Sequence, residues 1–140
     1  KDYYDDYKDI KLSSNVKLVP FLNDLIGYMK DATLIVTRSG ASTIAEITSI
    51  GLPAIMVPSP YVTNNHQYVN AKALEDDGAC IILKEEDFNK DSLVSLLDKT
   101  INDKEILDSM NKALLRRSEL NSASKIYNEI TKLVRDELDE

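Results

Sequence analysis

The chain is poor in the residues that cross-link or bind metals. In 140 residues it holds one cysteine, Cys80, and one histidine, His66. A single cysteine excludes an internal disulfide framework, and with one histidine beside it a Cys/His zinc site is excluded too. No apolar run approaches the roughly 20 residues that a membrane helix requires. No signal peptide is expected, since the chain opens on KDYYDDYKDIKL, without a methionine at position 1. Basic residues are outnumbered, 17 against 24 acidic, giving a net charge of −7 and a pI near 4.7. That balance argues against a fold-wide basic surface for DNA or RNA. There is no Ser/His/Asp arrangement, no pair of metal-binding carboxylates and no Walker lysine. A cytoplasmic setting with no nucleic acid partner and no direct membrane contact fits these absences.

What is present reads as one globular domain over residues 1–140, with 43% hydrophobic and 29% charged residues. The first fifteen residues alternate Asp2, Asp5, Asp6 and Asp9 with Tyr3, Tyr4 and Tyr7. They carry no strand pattern and read as a mobile acidic segment, or as a helix separated from its preceding strand. Four strands are predicted, at about 16–19, 33–37, 54–57 and 80–83. The last three are apolar without alternation, as strands covered on both faces are. A short helix carries Leu22, Leu25, Ile26 and Met29, with Asn23 and Asp24 near its start. A second runs from about Thr43 to Ile50 and stops at Gly51. A third ends at Asp77-Gly78. The final third is helical, with stripes Leu93, Leu96, Leu97, Ile101, then Ile106, Leu107, Met110, Ala113, Leu114, then Ile126, Ile130, Leu133, Val134, all expected to face the core. Continuous apolar strands alternating with helices predict an α/β fold, an open parallel sheet flanked by helices with a helical C-terminus.

Two loops carry chemistry. Strand 33–37 runs into Arg38-Ser39-Gly40-Ala41-Ser42-Thr43 and then a helix. The free N–H groups of a helix's first turn and its macrodipole favour an anion there. Gly40 lets a ligand approach the backbone, while Ser39, Ser42 and Thr43 add hydroxyls. In open α/β sheets, ligands gather at this carboxyl end of the strands. Thr43-Ile44-Ala45-Glu46 has two readings. It matches a capping box, and it also places a carboxylate where two vicinal ribose hydroxyls could donate to its two oxygens. The second loop, Pro58 to Gln67, follows another apolar strand. It brings His66, Gln67 and Asn70 toward the mouth of the sheet; capping by Thr63 or Asn64 with a solvated His66 is the alternative.

The stretch RSGASTIAEITSIGLPAIMVPSPYVTNNHQYVNAKALEDDGACIIL, Arg38 to Leu83, resembles the MurG family, the peptidoglycan N-acetylglucosaminyltransferases of glycosyltransferase family 28. The RSGA-x-T-x-x-E loop, the GLPA-x-x-VP strand and the HQ-x-x-NA helix stand in the family's order and spacing. The resemblance extends more loosely from Val16 through the C-terminal helices. It implies the C-terminal, donor-binding, Rossmann-like half of a GT-B transferase, with UDP-GlcNAc as donor and no metal or other cofactor. It implies that Phe21 and Leu22 bracket the uracil. Gly40, Ala41, Ser42 and Thr43 would face the diphosphate and sugar, and Glu46 would bind the ribose. Gln67 would bond GlcNAc hydroxyls, with His66 near the phosphates and Asn70 a weaker match.

The same resemblance implies what is not here. The family's N-terminal acceptor half, with its catalytic histidine and membrane-docking patch, has no counterpart, so no catalytic residue is expected in this chain and the isolated chain is expected to be inactive. Nor has the opening of the donor domain, with two of its strands. The longer family protein would work at the cytoplasmic face of the plasma membrane. Strand 33–37 would then present a bare edge, which predicts self-association unless strand 16–19 pairs with it. Two alternatives stay open: a stand-alone nucleotide-sugar-binding subunit completed by a separate acceptor-binding chain, and a GT-B transferase with a different acceptor.

Overall fold

The computed structural model describes residues 3–118 and 122–138. Three parallel strands form its sheet: β1 (Ile35–Thr37), β2 (Ala54–Met56) and β3 (Ile81–Ile82), in the order β1-β2-β3. Ile35 pairs with Ala54 and Thr37 with Met56, while Ile55 pairs with Ile81. The helices are α1 (Tyr4–Tyr7), α2 (Leu25–Asp31), α3 (Ala41–Ile50), α4 (His66–Asp76), α5 (Lys90–Ile101), α6 (Lys104–Arg117) and α7 (Ser122–Leu138). The expected open parallel sheet with flanking helices is therefore present, and the chain is mostly helical.

β2 is the axis of the core, and every residue from Gly51 to Pro58 is buried. Successive side chains on a strand point to opposite faces. Ala54 and Met56 accordingly join Met29, Ile47, Leu74, Ala113 and Leu114 on one side, under α2, α3, α4 and α6. Ile55 and Val57 join Leu83 on the other, against Leu93, Leu96 and Leu97 of α5. Burial on both faces is why β2 reads as an unbroken apolar run. α3 ends at Gly51, whose φ of 73° is left-handed, and α6 crosses closely there. A Cβ on Gly51 would lie 2.7 Å from Asn111 Nδ2 and 2.8 Å from Leu115 Cγ, so the turn and the crossing both demand glycine. Asn111 Nδ2 donates to the Gly51 carbonyl at 2.6 Å and joins the two helices.

Several expectations need correction. Val16–Val19 is not a strand; Val16, Lys17 and Leu18 are exposed and the segment pairs with nothing in the sheet. A strand needs a neighbour, and β1 keeps its outer edge unpaired among the described residues. Residues 3–15 contain a single helical turn, α1, with no buried residue. The Thr43–Glu46 capping box does not form, because α3 starts earlier, with Gly40 at its N-cap and no side-chain cap. Neither Thr63 nor Asn64 caps α4; its N-cap is Asn65, again without a side-chain bond. The stripe on α7 is not a core face: Ile126, Ile130, Leu133 and Val134 are all exposed. Ile101 at the end of α5 is exposed as well. α5 is capped by Asn89, through a reciprocal box with Ser92.

Candidate functional site

The carboxyl ends of β1 and β2 open side by side, as parallel neighbours must. β1 delivers Arg38 to Thr43 and β2 delivers the loop from Pro58 to Gln67. In the first loop α3 begins at Ala41, and the earliest tertiary-free bond runs from Ile44 N–H to Gly40 O at 3.0 Å. The N–H groups of Ala41, Ser42 and Thr43 thus precede the helical ladder and have no side-chain cap. Gly40 has φ −67°, open to any residue, and a Cβ there would meet only Thr43 Oγ1, at 4.0 Å. Neither backbone nor packing requires glycine at this position; the missing Cβ leaves room above the loop. Glu46 lies beyond the first turn, half-buried, and its carboxylate has no hydrogen-bond or ion-pair partner among the described residues.

Ser39 behaves differently from its neighbours. It is 0% exposed, and its hydroxyl donates to the Gln67 carbonyl at 2.8 Å. That hydroxyl ties the first loop to the first turn of α4 instead of pointing outward. Ala41 and Ser42 are exposed and Thr43 is half-buried.

The second loop turns into α4 through Asn64 (φ 55°) and Asn65 (φ 51°), both left-handed, a conformation asparagine tolerates better than most residues. His66 Nδ1 lies 2.8 Å from the Thr63 carbonyl. A carbonyl only accepts, so Nδ1 carries a proton and donates it there. Gln67 Oε1 accepts from Ser59 N–H at 2.9 Å. Asn70 is half-buried and lies one turn further along α4, on the face of His66 and Gln67. Ser39, Gly40, His66 and Gln67 are thus brought together by one hydrogen bond and two adjacent strands. Phe21 and Leu22 stand apart, in the segment that leads into α2; Phe21 is exposed, Leu22 is half-buried, and α2 packs on α3.

The motif alone assigns Arg38 no role. Its guanidinium reaches across the end of β2, donates to the Val57 carbonyl at 3.0 Å and pairs with Glu85 beyond β3. Glu85's hydrogen bond holds the guanidinium charged, with its pKa above the ordinary value, and Arg38 in turn holds Glu85 below the usual carboxylate range. A contact spanning three strand ends leaves no local signal in the sequence.

A cavity of about 590 Å³ opens on the other side of the second loop, lined by Pro58, Pro60, Tyr61, Tyr68, Lys84 and Glu85, among others. None of the predicted site residues lines it. Phe21 and Leu22 aside, the predicted site residues lie instead on the first and second loops, which the Ser39–Gln67 bond ties together, and on the helices those loops open. Among the described residues no three His, Cys, Asp or Glu side chains come together as a metal site would require, and no helix is long and apolar enough to cross a membrane.

Relatives match most of the chain. The transferase of Caldicellulosiruptor saccharolyticus named UDP-N-acetylglucosamine–N-acetylmuramyl-(pentapeptide) pyrophosphoryl-undecaprenol N-acetylglucosamine transferase is 45% identical over 102 residues, covering 73% of this chain and 28% of its own. The like-named protein of Exiguobacterium sibiricum is 41% identical over 133 residues, covering 91% of this chain and 36% of its own. The crystal structure of Acinetobacter baumannii MurG superposes with a TM-score of 0.74 at 28% identity, over 83% of this chain and 33% of that one. The chain therefore spans well under half the length of these relatives. The model of the glycosyltransferase family 28 C-terminal domain matches residues 2–130, and the chain belongs to that family.

Proposed function

We propose that the chain is the donor-binding portion of a transferase that moves GlcNAc from UDP-GlcNAc onto undecaprenyl-pyrophosphoryl-MurNAc-pentapeptide in peptidoglycan synthesis. The observation that carries this is the pairing of an uncapped, glycine-opened α3 terminus with the free carboxylate of Glu46. In this reading the N–H groups of Ala41, Ser42 and Thr43 receive the diphosphate. Their fixed donors and the α3 dipole stabilise the negative charge that grows on the leaving UDP. No metal enters the account. Glu46 accepts from the ribose hydroxyls, and Phe21 and Leu22 bracket the uracil. Gln67 meets the sugar, with His66 and Asn70 alongside. Ser39 contributes by holding the loop. The acceptor and the catalytic base are bound elsewhere in the longer protein, at the cytoplasmic face of the membrane, so this chain alone does not turn over.

Calorimetric titration with UDP-GlcNAc, UDP and UMP tests the proposal. UDP-GlcNAc and UDP should bind, and UMP should bind more weakly because it lacks the second phosphate. Absence of heat with all three at millimolar concentration would overturn it.

A second reading rests on surfaces this chain leaves uncovered. The outer edge of β1, with Val36 39% exposed, and the apolar stripe of α7 both fit a second polypeptide. A stand-alone donor-binding subunit completed by an acceptor-binding chain would use them so, as would self-association through the β1 edge. Light scattering tests the last of these: a clean monomer at high micromolar concentration refutes self-association.

A further inference from the structure

Three polar side chains are buried among the described residues: Ser39, Thr48 and Thr100. Two of them bond within their own helix, Thr48 to the Ile44 carbonyl at 2.6 Å and Thr100 to the Leu96 carbonyl at 2.7 Å. Such bonds satisfy the hydroxyl and fix nothing at a distance. Ser39 is the exception. It leaves β1 and reaches the first turn of α4, where it donates to the Gln67 carbonyl at 2.8 Å.

The residue it holds is itself held at its other end. Gln67 Oε1 accepts from Ser59 N–H at 2.9 Å. A backbone N–H can only donate, so this contact decides which way the carboxamide faces: oxygen toward the loop, Nε2 away from it. Nε2 has no partner among the described residues. The side chain therefore has two N–H donors left for a ligand, not the donor and acceptor that an untethered glutamine would offer.

We propose that Ser39 is a positioning residue that fixes the polarity of Gln67, so that the site selects a sugar bearing an oxygen acceptor at that point, a hydroxyl or an amide carbonyl. The inference rests on the donor-site reading above and adds to it a residue and a specificity rule. Without the Ser39 hydroxyl the first turn of α4 loses its tie to the loop. The Ser59–Gln67 contact then loosens and the carboxamide turns freely. Recognition of the sugar weakens most, because the ribose contact at Glu46 and the uracil contacts at Phe21–Leu22 lie on other elements and remain, while the diphosphate loop keeps its own backbone donors.

The test uses Ser39→Ala in the 140-residue chain with two measurements. Hydrogen exchange at the Ser59 amide needs no ligand. It should speed up selectively, with exchange at Ile55 and Met56 in β2 unchanged. Titration should lose on the order of tenfold for UDP-GlcNAc, the scale of one hydrogen bond, and a smaller factor for UDP, so that the ratio of the two affinities falls. Ser39→Cys keeps the shape with a weaker donor, and should show the same selectivity to a smaller degree; it replaces the alanine variant if that one does not fold. A role confined to stability would speed exchange at Ser59 and Ile55 together and lower both affinities together, which overturns the inference. Unchanged exchange at Ser59 in a folded variant overturns it also. Selective exchange at Ser59, in a chain whose native form binds neither UDP-GlcNAc nor UDP, overturns the donor-site reading and with it the part of Ser39 in sugar selection.

Discussion

Replacing Glu46 by alanine separates a ligand-binding carboxylate from a structural one. In the structure its side chain has no partner, and α3 is capped at Gly40 without it. Removing it should therefore change stability by no more than about 0.5 kcal/mol, the range of a surface change that breaks no contact. Alanine is the better helix former and Glu46 lies past the first turn, where the dipole acts most, so even the sign is close to neutral. Binding should respond very differently. A hydrogen bond to a charged group is worth roughly 1.5–3 kcal/mol, which lowers UDP affinity about 10- to 150-fold. The assay is calorimetric titration of both chains with UDP and with 2′-deoxy-UDP, alongside a thermal melt. The native chain should prefer UDP, and Glu46→Ala should erase that preference, because the lost carboxylate and the lost hydroxyl belong to one contact. A lowered melting temperature with unchanged UDP affinity would refute the reasoning and return Glu46 to a structural role.

Other outcomes follow from the same geometry. Gly40→Ala should fold normally, since φ is −67° and the nearest atom to the new Cβ is 4.0 Å away, yet it should weaken UDP binding; unchanged binding in a titration would mean that nothing occupies the space above the loop. Gly51→Ala should destabilise the chain by about 2 kcal/mol in urea melts, because φ is 73° and the Cβ would meet Asn111 and Leu115. Cys80 is 3% exposed, and its thiol is pushed up to about 12 by burial and then by the negative charge of Glu75. It should resist alkylation at pH 8 and react once the chain is unfolded. Glu85 is held below the usual carboxylate range by Arg38. Its contribution is thus complete above about pH 4.3 and lost as pH falls through the lowered folded value. The melting-temperature gap between the native chain and Glu85→Gln should close on acidification and stay constant above pH 5.

The parts of the fold legible in the sequence are those whose signal is local. β2 is an apolar run between Pro53 and Pro58, and α3 and α4 are closed by Gly51 and Gly78, both with left-handed φ. Val16–Val19 has the composition of a strand, but whether it becomes one depends on a pairing edge elsewhere in the chain. α3 starts at Ala41, two residues before the expected Thr43, because its N-cap is Gly40, which has no side chain to mark the position. Periodicity in α7 correctly marks an amphipathic helix, and carries nothing about what its stripe packs against. Of the candidate site, the glycine turn and Glu46 were visible as motif residues. The roles of Ser39 and Arg38 were not, because each bonds a partner from another strand end that only the folded chain brings near.

The claim at the centre of this account is that the crevice between the two loops holds the donor. Amide chemical-shift mapping of the isotopically labelled chain during titration with UDP-GlcNAc tests it most directly. The account predicts saturable shifts at Gly40 to Thr43, at Glu46 and at Ser59 and Gln67, with smaller shifts at Phe21 and Leu22. It predicts none at Lys84 and Glu86 beside the 590 Å³ cavity. Shifts centred on Tyr61, Tyr68 and Lys84, with the Gly40 loop silent, would place the ligand in that cavity and contradict the account.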